Sequence, residues 1–275
     1  MTPLHVKSSK ISNEKIPVPC GKCPNCIKRR TSGWSFRLVK QAEISKNPLF
    51  VTLTYDTEYV PITEKGYKSL SKTDIQKFIK RVRKNSKQKN IKYYCAGEYG
   101  SSERMRPHYH LIIYNTDELQ IIRGWKINDN PIGHVHIGRV SDASIGYTLK
   151  YMSKQGKVPL HKNDDRLPEF QLMSKGLGKN YLTESMVKWH KDDLLNRMYI
   201  PLKGGKKAAM PRYYKDKIYV ESEKNRIGRH IAQITEDETD VQMAELGDNY
   251  FHIIAQRTIA QFRKMYKKSK ENEKL

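Results

Sequence analysis

The chain has 275 residues, and its 52 lysines and arginines against 29 acidic residues give a net charge of +23. This excess disfavours an anionic surface protein and favours a polyanionic partner, nucleic acid above all, although a basic surface that serves only solubility is the alternative. No apolar run of about eighteen residues, the length of a membrane span, and no apolar signal segment is visible. We therefore expect no membrane partner and a cytoplasmic protein, whose four cysteines are thiols or metal ligands.

Three cysteines near the start follow one another at C-x-x-C-x-x-C spacing: Cys20, Cys23 and Cys26. Three thiolates leave one position of a tetrahedral zinc open, which Cys95 or a histidine could fill. The pattern thus suggests a structural Zn²⁺ site, and free buried cysteines are an equally good interpretation.

Apolar periodicity predicts the regular elements that follow. Helices are expected over 27–45, 71–84 and 141–154, and strands over 50–55, 91–99, 108–114 and 133–140. Ser71 or Thr73 is the expected N-cap of the second helix. The stretch 156–215 is basic and is expected to be rich in loops, and one amphipathic helix is expected over 239–266.

His108 and His110 are separated by one residue on a predicted strand, so both imidazoles project from the same face. Glu98 lies on the preceding strand, and a short hairpin would bring its carboxylate to the same side. Two imidazoles and one carboxylate suit Mg²⁺, Mn²⁺ or another catalytic divalent ion. The alternatives are a pair of exposed strand histidines, or a metal site at the second H-x-H pair, His134 and His136, which lacks a neighbouring glutamate strand.

Two tyrosines on the helix that follows, Tyr147 and Tyr151, are four residues apart and therefore share one helix face. A phenol has an unperturbed pKa of about 10. A nucleophilic tyrosine would therefore need electrostatic help, which Lys150 or Lys154 is near enough in sequence to give. The alternative is a core helix that uses both rings only for packing.

Three segments in this order carry a resemblance to a known family: F-V-T-L-T-Y (50–55), R-P-H-Y-H-L-I-I-Y (106–114) and Y-T-L-K-Y (147–151). They resemble the three motifs of HUH-family rolling-circle replication initiators. The C-G-K-C-P-N-C cluster and P-R-Y-Y at 211–214 are further similar to the initiators of single-stranded DNA phages of the microvirus group, gokushovirus type.

The resemblance implies an α+β fold, an antiparallel five-stranded sheet with flanking helices and with N- and C-terminal extensions. The expected divisions are an N-terminal Cys-rich segment and helix (1–48), an HUH endonuclease core (49–160), and a basic C-terminal extension with a terminal helix (161–275).

The resemblance also implies an activity, the nicking of single-stranded DNA at the phage replication origin with later rejoining. Tyr147 would attack a phosphodiester first and Tyr151 second, Lys150 would assist, and a cation at the Glu-His-His group would polarise the phosphate. The products would be a 5′-phosphotyrosine link and a free 3′ hydroxyl. Host helicase and polymerase would be the partners, in the cytoplasm of the bacterial host.

Basic residues interleaved with aromatic ones suit single-stranded DNA, because cations bind phosphates and rings stack on bases. The predicted DNA contacts are Arg106, Lys154, Lys175, Lys179 and Arg212. The same composition also occurs in ordinary loops. Two further alternatives are a non-catalytic basic zinc-knuckle protein that binds nucleic acid, and a metal-dependent nuclease that uses water as its nucleophile.

Overall fold

The computed structural model describes residues 3–7, 15–21, 23–100, 105–150 and 158–271. The α-helices are α1 (Pro24–Glu43), α2 (Lys72–Asn85), α3 (Glu118–Gly124), α4 (Asp142–Lys150), α5 (Glu184–Asp192), α6 (Arg212–Ile218), α7 (Glu221–Leu246) and α8 (Tyr250–Glu271). The strands are β1 (Pro3–Lys7), β2 (Lys15–Pro19), β3 (Leu49–Thr54), β4 (Lys92–Tyr99), β5 (Pro107–Tyr114), β6 (Lys126–Ile127), β7 (Asn130–Pro131), β8 (Val135–Arg139), β9 (Phe170–Met173), β10 (Tyr199–Pro201) and β11 (Lys207–Ala209).

The chain divides into two compact units. Residues Ser35–Asn180 form one, here called the sheet unit, and Met1–Trp34 with Tyr181–Leu275 form the other, here called the terminal unit. The divisions expected at 48/49 and 160/161 both fall inside the sheet unit, because the segments on either side of the sheet strands also pack with them.

The sheet unit contains a five-stranded antiparallel sheet in the order β8-β3-β5-β4-β9. The predicted α+β fold, a five-stranded antiparallel sheet with flanking helices and terminal extensions, is therefore confirmed. Four of the strands coincide within two residues with the predicted ones. The fifth, β9, lies in the stretch expected to be rich in loops, where it pairs with β4 at the sheet edge.

One face of the sheet carries the hydrophobic core and is covered by α2 and α3. Val51 and Leu53 of β3 are completely buried in it, and each such side chain stabilises the fold by about 2 kcal/mol through burial. Helix α2 contributes its apolar stripe, namely Ile75, Phe78, Ile79 and Val82. The helix begins at the predicted cap, because the Ser71 hydroxyl accepts a hydrogen bond from the Asp74 amide (3.1 Å).

The opposite face, here called the site face, carries the side chains that alternate with the core residues. Helix α4 packs over β5 and β4 on this side. The end of α1 also lies there, where the buried Tyr114 hydroxyl donates to the Leu38 carbonyl (2.9 Å). Polar groups on the site face are therefore framed by two helices rather than submerged in the main core.

Edge strand β8 approaches β3 very closely at its start. The Thr54 amide donates to the His134 carbonyl (3.0 Å), and a Cβ at Gly133 would lie 2.0 Å from the Thr54 carbonyl oxygen. Only glycine leaves room for this approach. Gly133 therefore sets the position at which the second H-x-H pair enters the sheet.

The terminal unit contains the hairpins β1–β2 and β10–β11 and the helices α5 to α8. Its buried His190 receives a hydrogen bond on Nε2 from the Tyr181 hydroxyl (2.9 Å) and donates from Nδ1 to the Arg197 carbonyl (2.7 Å). Burial lowers the pKa of this imidazole, so it is neutral at physiological pH. The pair fixes α5 against its neighbours.

The single helix expected over 239–266 is wrong. Helix α7 ends at Leu246, a short turn follows at Gly247–Asn249, and α8 begins at Tyr250. Gly247 has φ +52°, which a continuing helix does not allow and glycine adopts at no steric cost. The sequence signal was present in the turn-forming residues G-D-N. No helix in the described part of the chain is long and apolar enough to cross a membrane.

Candidate metal and nucleophile site

The register of β4 and β5 brings one glutamate to two histidines. Glu98 is the cross-strand partner of His108, and His110 lies two residues further on the same face. The Glu98 Oε1 atom is 2.7 Å from His108 Nε2 and 3.2 Å from His110 Nε2. One ligand atom from each of the three residues lies within 4.8 Å of the other two. The three predicted metal ligands are thus together on the site face.

The outer nitrogens of both imidazoles are also held. His108 Nδ1 is 3.1 Å from the Arg106 carbonyl, and His110 Nδ1 is 3.0 Å from the Thr52 hydroxyl oxygen. A carbonyl can only accept, so His108 Nδ1 carries a proton, and Nε2 of the neutral ring directs a lone pair into the site. Histidines that bind metals typically have this arrangement.

The donor set fits a divalent cation. In the neutral tautomer, His108 Nε2 and Glu98 Oε1 are both acceptors, and only a proton or a cation reconciles two acceptors 2.7 Å apart. Adjacent ligands of an octahedral ion with bonds of about 2.1 Å lie about 3 Å from each other, close to the two separations seen here. Two imidazoles and a carboxylate suit Mn²⁺ or Mg²⁺.

Glu98 is charged in this setting. Its carboxylate is buried, which by itself would raise the pKa, but the hydrogen bonds and the charges of His108 and His110 outweigh burial and lower the pKa to about 2. The site therefore presents an anionic oxygen beside two imidazoles at neutral pH.

Tyr147 lies on the same face as this group. Its ring meets the His110 ring edge-on with 5.1 Å between centroids, and it also meets the Phe50 ring edge-on at 6.0 Å. The Phe50 ring in turn lies parallel to the His110 ring at 6.1 Å. The Tyr147 side chain is 42% exposed, so its phenol is accessible to a substrate. Lys150 ends the same helix, and Tyr151 and Lys154 lie outside the described residues.

The second H-x-H pair lies on the site face too, but at the edge of the sheet. His136 is the cross-strand partner of Thr52 on β8, and both His134 and His136 are exposed. Within the described part of the chain, neither belongs to a group of three metal-binding side chains.

The predicted DNA contacts lie in different places. The Arg106 guanidinium donates to the Tyr55 carbonyl (2.7 Å) and the Thr57 hydroxyl (3.2 Å), which ties the start of β5 to the end of β3. Lys175 and Lys179 are exposed in and beside the turn after β9. Arg212 is exposed at the start of α6 in the terminal unit, 3.4 Å from Asp216. Their contacts with DNA remain predictions.

The cysteines divide into a group of three and a single buried thiol. Ligand atoms of Cys20, Cys23 and Cys26 lie within 4.8 Å of one another in the terminal unit. Cys95 lies on β4, inside the hydrophobic core of the sheet unit, where burial raises the pKa of its thiol and keeps it protonated.

Sequence reasoning missed two residues of the site, Thr52 and Phe50. Both lie on β3 at positions that alternate with the buried Val51 and Leu53, so their facing could have been inferred from the strand pattern. Their contact with His110 depends on the register between β3 and β5, which no local signal gives.

Comparison with known proteins agrees with this geometry. A family model for replication-associated proteins of the ORF2 type matches residues 48–156. Replication-associated protein ORF2 of Spiroplasma virus 4 is 33% identical over 221 residues, which cover 72% of this chain and 66% of the relative. The chain belongs to this family of replication-associated proteins. The resemblance to replication proteins of microvirus-type phages is thus confirmed.

Two further members of the replication-associated family are similar over comparable lengths. Replication-associated protein VP4 of Bdellovibrio phage phiMH2K is 26% identical over 231 residues, 76% of this chain and 70% of the relative. Replication-associated protein ORF4 of Chlamydia phage 1 is 24% identical over 224 residues, 73% of this chain and 53% of the relative. The chain thus spans about two thirds of the length of the first relative and about half of the third. No solved structure matches the chain significantly.

Proposed function

We propose that this replication-associated protein initiates rolling-circle replication by nicking single-stranded DNA at the phage origin with Tyr147. One observation carries the proposal. The Tyr147 ring lies 5.1 Å from the ring of His110, which is itself one of three side chains whose ligand atoms converge within 4.8 Å. A phenol accessible to substrate beside a cation-binding group is what phosphodiester attack requires.

The proposed reaction is a transesterification. The Tyr147 oxygen forms a bond to the phosphorus, the bond from phosphorus to the 3′ oxygen breaks, and the phenolic proton ends on that 3′ oxygen. The products are a 5′-phosphotyrosine link and a free 3′ hydroxyl. Because one phosphodiester replaces another, the reverse attack by a 3′ hydroxyl rejoins the strand without a nucleotide cofactor.

The residues of the chain divide this work. Glu98, His108 and His110 would hold Mg²⁺ or Mn²⁺, which when bound supplies positive charge to the oxygens of the scissile phosphate. Lys150, one turn from Tyr147 on α4, would stabilise the phenolate electrostatically. Tyr151 is proposed as the second nucleophile, which resolves the first link at the end of a round.

The proposed setting is the cytoplasm of the infected bacterium. Host helicase and polymerase would use the freed 3′ hydroxyl, and the basic residues Arg106, Lys154, Lys175, Lys179 and Arg212 would contact the DNA. The net charge of +23 supports a nucleic-acid partner.

The test is an adduct assay with origin single strand and Mn²⁺. The wild-type chain should give a protein–DNA adduct that survives SDS, and chelation should abolish it. Tyr147→Phe should abolish the first adduct, whereas Tyr59→Phe, a matched loss of a hydroxyl outside the site, should leave it unchanged. If the adduct survives in Tyr147→Phe and disappears only when Tyr151→Phe is added, Tyr151 is the first nucleophile and our assignment is wrong.

The same assay separates the other two functions. A nuclease that uses water would cut the strand without any SDS-stable adduct. A zinc-knuckle binding protein would bind DNA with strong salt dependence and would not cut under any metal.

A further inference from the structure

We propose that Cys20, Cys23 and Cys26 bind one structural Zn²⁺ in the terminal unit, independently of the catalytic group proposed for the sheet unit. Cys20 follows β2 by one residue, Cys23 precedes the first residue of α1, and Cys26 lies in the first turn of that helix. The spacing therefore gathers three sulfurs where a strand turns into a helix. None of the four cysteines of the chain forms a disulfide.

The distances match zinc rather than a disulfide. The Sγ atoms of Cys20 and Cys26 are 3.9 Å apart. Two thiolates on a tetrahedral zinc, with bonds of about 2.3 Å, lie about 3.8 Å from each other, whereas the sulfurs of a disulfide lie about 2.05 Å apart. Three sulfurs in one group also cannot all be satisfied by a disulfide, since one always remains.

The backbone at the group is arranged for a sulfur ligand. The Cys23 amide donates to Cys20 Sγ (3.2 Å), so the chain folds back over the first sulfur and holds it beside the start of α1. The first helical hydrogen bond, from the Ile27 amide to the Cys23 carbonyl (3.0 Å), then fixes Cys23 and Cys26 one turn apart. A bound cation would therefore hold together the end of the β1–β2 hairpin and the start of α1.

Among the described residues, no further histidine, cysteine or carboxylate belongs to this group. The ligand set that the geometry supports is therefore three thiolates, with the fourth position taken by water. Cys95, enclosed in the core of the sheet unit, is excluded by its own surroundings, since a thiol enclosed by apolar side chains has no path to a cation.

The test uses Co²⁺ as a spectroscopic substitute for zinc in the reduced, chelator-stripped full chain. We expect intense sulfur-to-cobalt charge-transfer bands that disappear when one equivalent of Zn²⁺ is added. The bands should be lost in a variant with all three substitutions, Cys20→Ser, Cys23→Ser and Cys26→Ser. They should persist in Cys95→Ala, the matched control, and in Glu98→Gln, because an N/O site gives no thiolate band.

A second measurement covers the case in which the triple variant does not fold. In the wild-type chain, Zn²⁺ should protect three thiols from a thiol-specific reagent, and Cys95 should stay unreactive with or without metal. The proposal is overturned if wild-type protein shows no thiolate band and no zinc protection, or if Cys95→Ala loses the band. The tyrosine adduct does not enter this readout, so the two proposals fail separately.

Discussion

Two H-x-H pairs with identical spacing lie on the same face of one sheet, and they differ in their neighbours. His108 and His110 occupy the central strand β5, between β3 and β4, whereas His136 occupies the edge strand β8 with His134 just before it. Both pairs flank β3, and Thr52 is the cross-strand partner of His110 on one side and of His136 on the other.

The central pair acquires what the edge pair lacks. Strand β4 places Glu98 beside His108, and the sheet with its covering helices leaves His110 only 3% exposed. Buried imidazoles with fixed outer nitrogens lose little conformational freedom when they bind a cation. The edge pair is exposed, and on its outer side no strand stands ready to supply a carboxylate. Spacing puts two imidazoles on one face, and the neighbouring strand makes them a ligand set.

The largest expected effect is the loss of a ligand from the central pair. His110→Ala should lower the yield of the Mn²⁺-dependent adduct on the order of a hundredfold or more, since changes to groups behind metal ligands alone cost about ten- to a hundredfold. The measurement is adduct yield across a Mn²⁺ titration, with circular dichroism to show that the variant is folded. A folded variant that forms the adduct at wild-type metal concentrations would contradict the assignment.

Much of this comparison could be predicted from the sequence. Alternating apolar residues give strands β3, β4, β5 and β8, and the two-residue period places His108 with His110 on one face. The apolar stripe and the Ser71 cap give α2. Glu98 follows once β4 and β5 are taken as a hairpin, because a tight connection between antiparallel strands restricts their register.

The rest depends on contacts between residues distant in sequence. The position of Thr52 against His110 needs the register of β3 with β5, 58 residues apart. The placing of β8 at an edge depends on which strand reaches β3 first. Strand β9 has only four residues, too few for a periodic pattern to stand out from the basic loops around it.

An intermediate effect is expected from the hydroxyl behind His110. Thr52→Val keeps the β-branched shape but removes the acceptor 3.0 Å from His110 Nδ1, and such support typically contributes about ten- to a hundredfold in metal affinity. The lower end is expected here, since Phe50 still stacks on the ring. The measurement is Mn²⁺ affinity by calorimetry.

Thr54→Val is the matched control for this change. Thr54 lies on the same strand and face, but its hydroxyl donates to the His134 carbonyl (3.4 Å) rather than to a ligand nitrogen. Its Mn²⁺ affinity should therefore equal that of the wild-type chain. Equal losses in both variants would mean that β3 acts through general packing and not through the contact with His110.

The smallest effect is expected from the edge pair. A double variant, His134→Ala with His136→Ala, removes two exposed imidazoles that share no carboxylate, so Mn²⁺ affinity and adduct yield should stay within about twofold of wild type, as is usual for surface changes. The backbone contact between Thr54 and His134 survives, because it uses the His134 carbonyl. The same metal titration and adduct assay measure the result. A tenfold loss would show that cations or phosphates bind across β3 at both pairs, and that the two strands form one extended site instead of a site and a bystander.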